Sequence, residues 1–281
     1  MKLRGWTLVF FGILLTVAPA YAQQNSNAAG QCAGASDPAR CELDAGVSAY
    51  RNSRYEAAVE HFRRAIQLNA NLTVAHLYLG TSLAQQYVPG VDTPENVQSG
   101  EQAVAEFATV LKQLPDNSPD KVTATQSIAA LSFQMKKWDE SKEYWRKVID
   151  LAPREPEAYY SIGVIDWTLS YSARIKAYND RGLNPVQQQL DIGTCQQLAY
   201  DHLSQVEEGM QMLVKALELR PDYDDAMAYM NLLYRESADL RCDDQAAREA
   251  DLTQADKWVD QTLAVKKARA EKTQSAIMPN Q

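Results

Sequence analysis

The chain predicts an all-α fold, an α-solenoid of about five stacked helix pairs, on three observations. An amphipathic segment recurs four times with small and large residues at fixed offsets. A second helical segment precedes each copy, and a shared stop signal follows most of them. The recurring segments are "RYEAAVEHFRRAIQLNA" from Arg54, "GEQAVAEFATVLKQLPD" from Gly100, "KWDESKEYWRKVIDLAP" from Lys137 and "VEEGMQMLVKALELRPD" from Val206. Ala58, Ala103, Ser141 and Gly209 are followed four residues later by Phe62, Phe107, Trp145 and Leu213. Three residues further on stand Ala65, Val110, Val148 and Ala216. Offsets of i, i+4 and i+7 lie on one helical face, so each copy buries a single stripe. Pro115, Pro153 and Pro221 stand five residues beyond and end their helices, because proline lacks the amide donor and restricts the residue before it; Ala70 holds that place in the first copy.

The partner helices read "ELDAGVSAYR", "HLYLGTSLAQQ", "TQSIAALSF", "YYSIGVIDW" and "AYMNLLYR". Gly46, Gly80, Ala129 and Gly163 give close backbone approach at one shared position, where the fifth has Asn231. A weaker closing helix, "LTQADKWVDQTLAV", completes the fifth pair with Ala255, Val259 and Thr262 on its stripe.

These residues resemble the tetratricopeptide repeat. Its 34-residue unit pairs helices A and B, with a small residue opposite the turn, an aromatic on helix B and a closing proline. The resemblance covers roughly residues 39–267, with repeats at about 39–72, 73–117, 122–155, 156–223 and 224–267. Lys267 stands in place of the last proline. Stripe residues 58, 103, 141, 209 and 255 are 45, 38, 68 and 46 apart, so every interval carries an insertion. Three insertions fall at the turn between helices A and B. The first, "YVPGVDTPENVQSG", reads as a loop. The largest, "SYSARIKAYNDRGLNPVQQQLDIGTCQQLAYDHLSQ", reads as two lengthened helices forming a projecting hairpin, and "ESADLRCDDQAAREAD" extends the next, giving extended hairpins in the fourth and fifth repeats.

The ends read differently. Lys2 and Arg4 precede the apolar run "TLVFFGILLTVA", then small residues Ala20 and Ala22 before a cut at Gln23. Residues 1–22 are therefore expected to be a cleaved signal peptide, placing the protein in the periplasm or outside the cell, with a membrane anchor if uncleaved. The run is about 12 residues against the roughly 20 that span a bilayer, so stable insertion after cleavage is not expected. Residues 23–38 read as a linker and 268–281 as a disordered tail. Cleavage takes the formal charge from -8 to -10, which disfavours nucleic acid and anionic lipid as partners.

Four cysteines without a CxxC pair in an exported chain imply disulfides rather than zinc or redox chemistry. Cys32 and Cys41 lie close together at the N-terminal cap, and Cys195 and Cys242 fall in insertions of adjacent repeats, so the expected pairs are Cys32–Cys41 and Cys195–Cys242. His61, His76 and His202 lie on separate helices without the converging partners zinc needs. No GxSxG, HExxH, phosphate-loop or GxGxxG context occurs, so no enzyme, cofactor or metal is expected. Asp222, Asp224 and Asp225 lack the glycine and glutamate of a calcium loop, with Met227 and Leu233 in those places. They read as a helix start, where carboxylates cap free amides and oppose the helix dipole.

The resemblance implies that the helix A faces line a concave groove for an extended peptide or partner helix. The positions carried over are Tyr50, Arg51, Leu77, Tyr78, Gln85, Tyr160, Val164, Trp167, Tyr229 and Arg235. The carboxylate clamp of chaperone-tail-binding members is missing, since Leu43, Val47, Thr81, Gln126 and Ala130 occupy its places. The expected function is a non-enzymatic interaction scaffold of the cell envelope with a protein or peptide partner of unknown identity. The alternatives are contact or homo-oligomerisation through the projecting hairpins, and a glycan-associated accessory subunit in which Trp167 and the tyrosines stack on sugar rings.

Overall fold

The computed structural model describes residues 32–277, with side chains to 274, so the expected signal peptide and most of the linker lie outside the described residues. It is helical throughout and divides into two compact units, the first ending at Ala70. The first unit is one helix pair, α1 (Pro38–Arg51) and α2 (Tyr55–Leu68). Asp37 opens α1 by accepting from the Arg40 amide at 3.0 Å, and Pro38 fills the first turn, where its missing N–H costs nothing. Phe62 is fully buried against Gly46, where an added Cβ would stand 2.5 Å from the ring. His61 Nδ1 lies 2.7 Å from Glu42 Oε2, which also accepts from Arg64 Nε at 3.1 Å.

The second unit holds four pairs: α3 (Thr73–Gln86) with α4 (Pro94–Gln113), α5 (Pro119–Gln134) with α6 (Trp138–Leu151), α7 (Pro156–Asp180) with α8 (Ile192–Leu219), and α9 (Asp224–Asp239) with α10 (Gln245–Ile277). Within a pair the small-large stripe of helix B packs against helix A, as Phe107 does on Gly80 and Leu213 on Gly163. Ala103, Phe107, Val110, Val148, Leu213 and Ala216 are all within 1% of full burial. At Gly163 a Cβ would meet Leu213 at 2.7 Å and the Gly209 carbonyl at 3.1 Å, so the glycine permits the closest approach in the fourth pair. Ser141 fits the small position by donating to the Ala129 carbonyl at 2.7 Å, which satisfies its buried hydroxyl. His76 and Glu106 meet at 2.6 Å in the second pair, the His61–Glu42 contact of the first with its two residue types exchanged between helices A and B.

The lengthened hairpins are real helices: α7 has 25 residues, α8 28 and α10 33. Two expectations change. The first insertion is a loop only to Thr93, because Thr93 caps α4 and Pro94 starts it. Asn96 closes that loop through Val88 N, Val88 O and Val91 O. Proline at a first turn begins a helix rather than breaking one. The expected disordered tail from residue 268 is instead helix to Ile277, tied back by Arg269 to Asp224 at 2.8 Å and to the Asp222 carbonyl at 3.1 Å. Asp224 and Asp225 do lie in the first turn of α9, but no side chain caps it; Asp224 serves as the anchor for α10.

The structure contains the disulfides Cys32–Cys41 and Cys195–Cys242. Among the described residues no helix is long and apolar enough to cross a membrane, and no cluster of three or more His, Cys, Asp or Glu could hold a metal ion.

Candidate binding groove

Helices α5, α7 and α9 are the helix A members of the last three pairs, and their exposed faces enclose a cavity of about 860 Å³. Helix α5 contributes Thr123, Gln126, Ser127, Ala130, Phe133 and Gln134. Helix α7 contributes Glu157, Tyr160, Ser161 and Val164, with Glu155 at its N-cap, and Tyr229 comes from α9. Trp145 and Arg220 complete the wall.

An aromatic track runs along this face because Tyr160, Val164, Trp167 and Tyr171 recur at offsets of four, three and four on α7, which is one side of a helix. Trp167 stacks on Tyr171 at 4.8 Å and meets Tyr229 edge-on at 5.5 Å. Tyr229 meets Tyr160 edge-on at 5.7 Å, and Tyr160 lies 4.9 Å from Tyr223. At the far end Arg220 sits 3.8 Å over the Tyr223 ring, whose hydroxyl donates to Glu157 at 2.5 Å.

Burial, then the neighbouring Tyr229, Asp225 and Glu157, pushes the Tyr160 phenol upward. Burial, then the Asp225 carboxylate, does the same for Tyr229. Both phenols therefore stay protonated and act as donors, yet neither hydroxyl has a hydrogen-bond partner among the described residues. Trp145 is 6% exposed, and its buried indole N–H has no acceptor among the described residues.

Of the positions expected from sequence, Tyr160, Val164 and Tyr229 line the cavity together, and Trp167 continues it through the ring track. Leu77 and Tyr78, half-buried, and exposed Gln85 lie on α3, outside this cavity. Tyr50 and Arg51 belong to the first unit, where Tyr50 meets Tyr55 at 5.5 Å. Arg235 is directed at α10, with Nη2 on Asp256 at 2.7 Å and Nε on Asn231 at 2.9 Å. Sequence reasoning missed Phe133, Tyr171, Arg220 and Tyr223 as groove members. Tyr171 was legible in principle, one turn beyond Trp167.

Behind the groove, Asp166 of α7 is fully buried. Its Oδ1 accepts from Lys142 and, at 3.2 Å, from Gln205, while Oδ2 has no partner. Lys142 also reaches Glu208 at 2.9 Å, and Arg146 reaches the other Glu208 oxygen at 2.7 Å. Burial opposes ionisation of Glu208, but hydrogen bonds from Lys142 and Arg146 hold its carboxyl below the ordinary value. Burial pushes the Asp166 carboxyl up to about 6, against Lys142, which favours the ion. An acid whose folded value lies above its unfolded one binds its proton more tightly when folded. Its contribution is present at low pH and is lost as pH rises from about 4 through about 6. The expected loss is roughly 2–3 kcal/mol over that window. Urea denaturation across pH 4–7 should show a downward slope that Asp166→Asn flattens; an unchanged slope assigns it to other groups.

Residues 43–120 match the family model described as tetratricopeptide repeat. Three solved structures share the fold. A MamA crystal structure aligns with a TM-score of 0.55 at 12% identity, over 83% of this chain and 94% of its own. MamA 41-end from Desulfovibrio magneticus RS-1 aligns at 0.51 and 17%, over 82% and 96%. YrrB, titled a TPR protein with an unusual peptide-binding site, aligns at 0.51 and 11%, over 88% and 97%. No curated protein matches the chain. Residues 43–120 thus match the tetratricopeptide repeat, and the shared fold is an all-α solenoid.

Proposed function

We propose that this tetratricopeptide-repeat chain is a non-enzymatic scaffold of the cell envelope that holds an extended peptide or protein segment against α5, α7 and α9. The observation that carries the reading is the cavity between those helices, with its aromatic track and the two phenol donors lacking acceptors among the described residues. Tyrosine and tryptophan give large contact area at low entropic cost, and a segment's backbone carbonyls would satisfy the donors. Two disulfides favour an oxidising compartment, in keeping with an export signal at residues 1–22. The repeats supply rigid helical walls, which suits a binding role.

The test is selection of random twelve-residue peptides on the full chain, followed by affinity measurement on Ala130→Trp. Ala130 is exposed and lines the cavity, so the indole fills the groove and leaves the core alone. Selected peptides should lose at least about tenfold in affinity, the equivalent of 1.4 kcal/mol. Equal binding to both proteins overturns the groove.

A second reading has one observation behind it. The projecting hairpin exposes Tyr200 at 86% and Val186 at 90%, which suits contact with a partner or a second copy. Peptides or copies that bind Ala130→Trp normally and are lost on Tyr200→Ser would move the site to the hairpin.

A further inference from the structure

We propose that the groove selects a cationic proline-rich segment in the polyproline II conformation, with prolines packed on the outer faces of the aromatic track and basic side chains at the Glu157 end. This rests on the groove reading above and names the chemistry of the occupant.

The geometry of the rings is the first argument. Tyr229 stands nearly perpendicular to both Tyr160 and Trp167, at 81° and 79°. At 5.7 and 5.5 Å these rings touch one another, so the track presents a ridged surface of ring faces and edges rather than one flat face. The flat side of a pyrrolidine packs on each such face in turn. Aromatic-lined grooves of this kind are what polyproline II segments dock into. From Tyr160 to Tyr171 the helix rises about 16 Å at 1.5 Å per residue. A polyproline II segment covers that length in about five residues at 3.1 Å each.

Hydrogen bonding is the second. Tyr160 and Tyr229 offer two hydroxyl donors without acceptors among the described residues. Proline has no amide N–H to place in the groove, and a polyproline II backbone leaves its carbonyls free to accept. A chain with N–H groups would bring donors to a wall already rich in them.

Charge is the third. Glu155, Glu157 and Asp225 gather at one end of the track, where Arg220 pairs with Glu157 at 3.8 Å and Arg269 acts on Asp225, so three carboxylates face two guanidinium groups and the end stays acidic. Arg220 is engaged over Tyr223, and Asp225 is exposed and accepts no hydrogen bond among the described residues. Lysine or arginine flanking the prolines complements that end; a free C-terminal carboxylate or an acidic segment does not.

The experiment is calorimetric titration of the full chain with end-blocked seven-residue peptides and with chitohexaose. One peptide has five prolines between two lysines, one has five alanines between two lysines, and one has five prolines between two glutamates. The lysine-flanked proline peptide should bind at least about tenfold more tightly than either control, and more weakly as salt rises. Tyr160→Phe with Tyr229→Phe keeps both rings and removes both hydroxyls, and should weaken it roughly fivefold to tenfold per hydroxyl. Equal affinity for the alanine peptide overturns the proline claim, and equal affinity for the glutamate-flanked peptide overturns the cationic one. Chitohexaose binding without peptide binding makes the occupant a glycan. Library peptides that depend on the groove yet contain no proline sink this inference while leaving the groove reading intact.

Discussion

Glu236→Ala lowers stability by about 3–5 kcal/mol, the cost of leaving a buried charge without its partner. Glu236 is 1% exposed and lies in the last turn of α9, facing α7. Arg174 Nη2 donates to its Oε2 at 2.7 Å and Nε reaches both oxygens at 3.0 and 3.1 Å, while Ser170 donates to Oε1 at 3.0 Å. Removing the carboxylate leaves the Arg174 guanidinium, itself 9% exposed, with Asp239 at 3.2 Å as its only remaining ion-pair partner among the described residues. Asp239 is a third exposed and shared with Arg248, which makes it a poor substitute. Replacing both members, Arg174→Met with Glu236→Leu, should recover most of the loss, because two apolar chains need no partner there. Guanidinium denaturation of the two single variants and the double variant checks this through the coupling energy. Near-additive losses would mean that the pair is not the unit that matters. Arg174 shares α7 with Tyr160, Trp167 and Tyr171, so Glu236→Ala should also weaken groove-dependent peptide binding, linking this contact to function.

The legible part of the fold is the part set by local spacing. Phe62 against Gly46 and Phe107 against Gly80 are one contact made twice, and a stripe of period 3.6 reveals it because the burial is the same each time. What resisted reading depends on residues far apart or on a boundary. The Arg174–Glu236 pair spans 62 positions and Lys142–Asp166 spans 24, and no helical period joins them. Tyr223 fell in the joint after Pro221, where position suggests a turn; the joint carries its ring back against Tyr160, which makes it part of the track. Tyr171 lay inside an insertion, so the repeat frame stopped one turn short of it. Pro94 reads as loop because it follows a turn-rich stretch, although Thr-Pro-Glu is equally a helix start. Among the groove positions carried over, Arg235 shows the limit of a family frame: Asp256 on a lengthened α10 takes its guanidinium.

Reducing Cys195–Cys242 costs about 4 kcal/mol in the chain-entropy account, since the bond closes a 47-residue separation; the nine-residue closure at Cys32–Cys41 contributes about 2.5 kcal/mol. Where the larger loss appears matters more than its size. Cys195 begins α8 and Cys242 lies in the α9–α10 turn, so the bond fastens the end of the projecting hairpin to the next pair. The tip has little else to hold it: Val186 and Ile192 are exposed, and Thr194 and Arg181 make mainly surface contacts. Stacked repeats touch chiefly their neighbours, so unfastening one edge should loosen that edge before it melts the array. Hydrogen exchange on Cys195→Ser with Cys242→Ser should therefore lose protection over residues 174–200 while residues 94–134 stay protected. Groove-dependent peptide binding should fall only slightly, because Tyr160 and Tyr229 lie toward the opposite ends of their helices from the cysteines. Uniform loss across the second unit would show that the bond supports the whole stack, and the hairpin would then be a structural brace rather than an independently mobile projection.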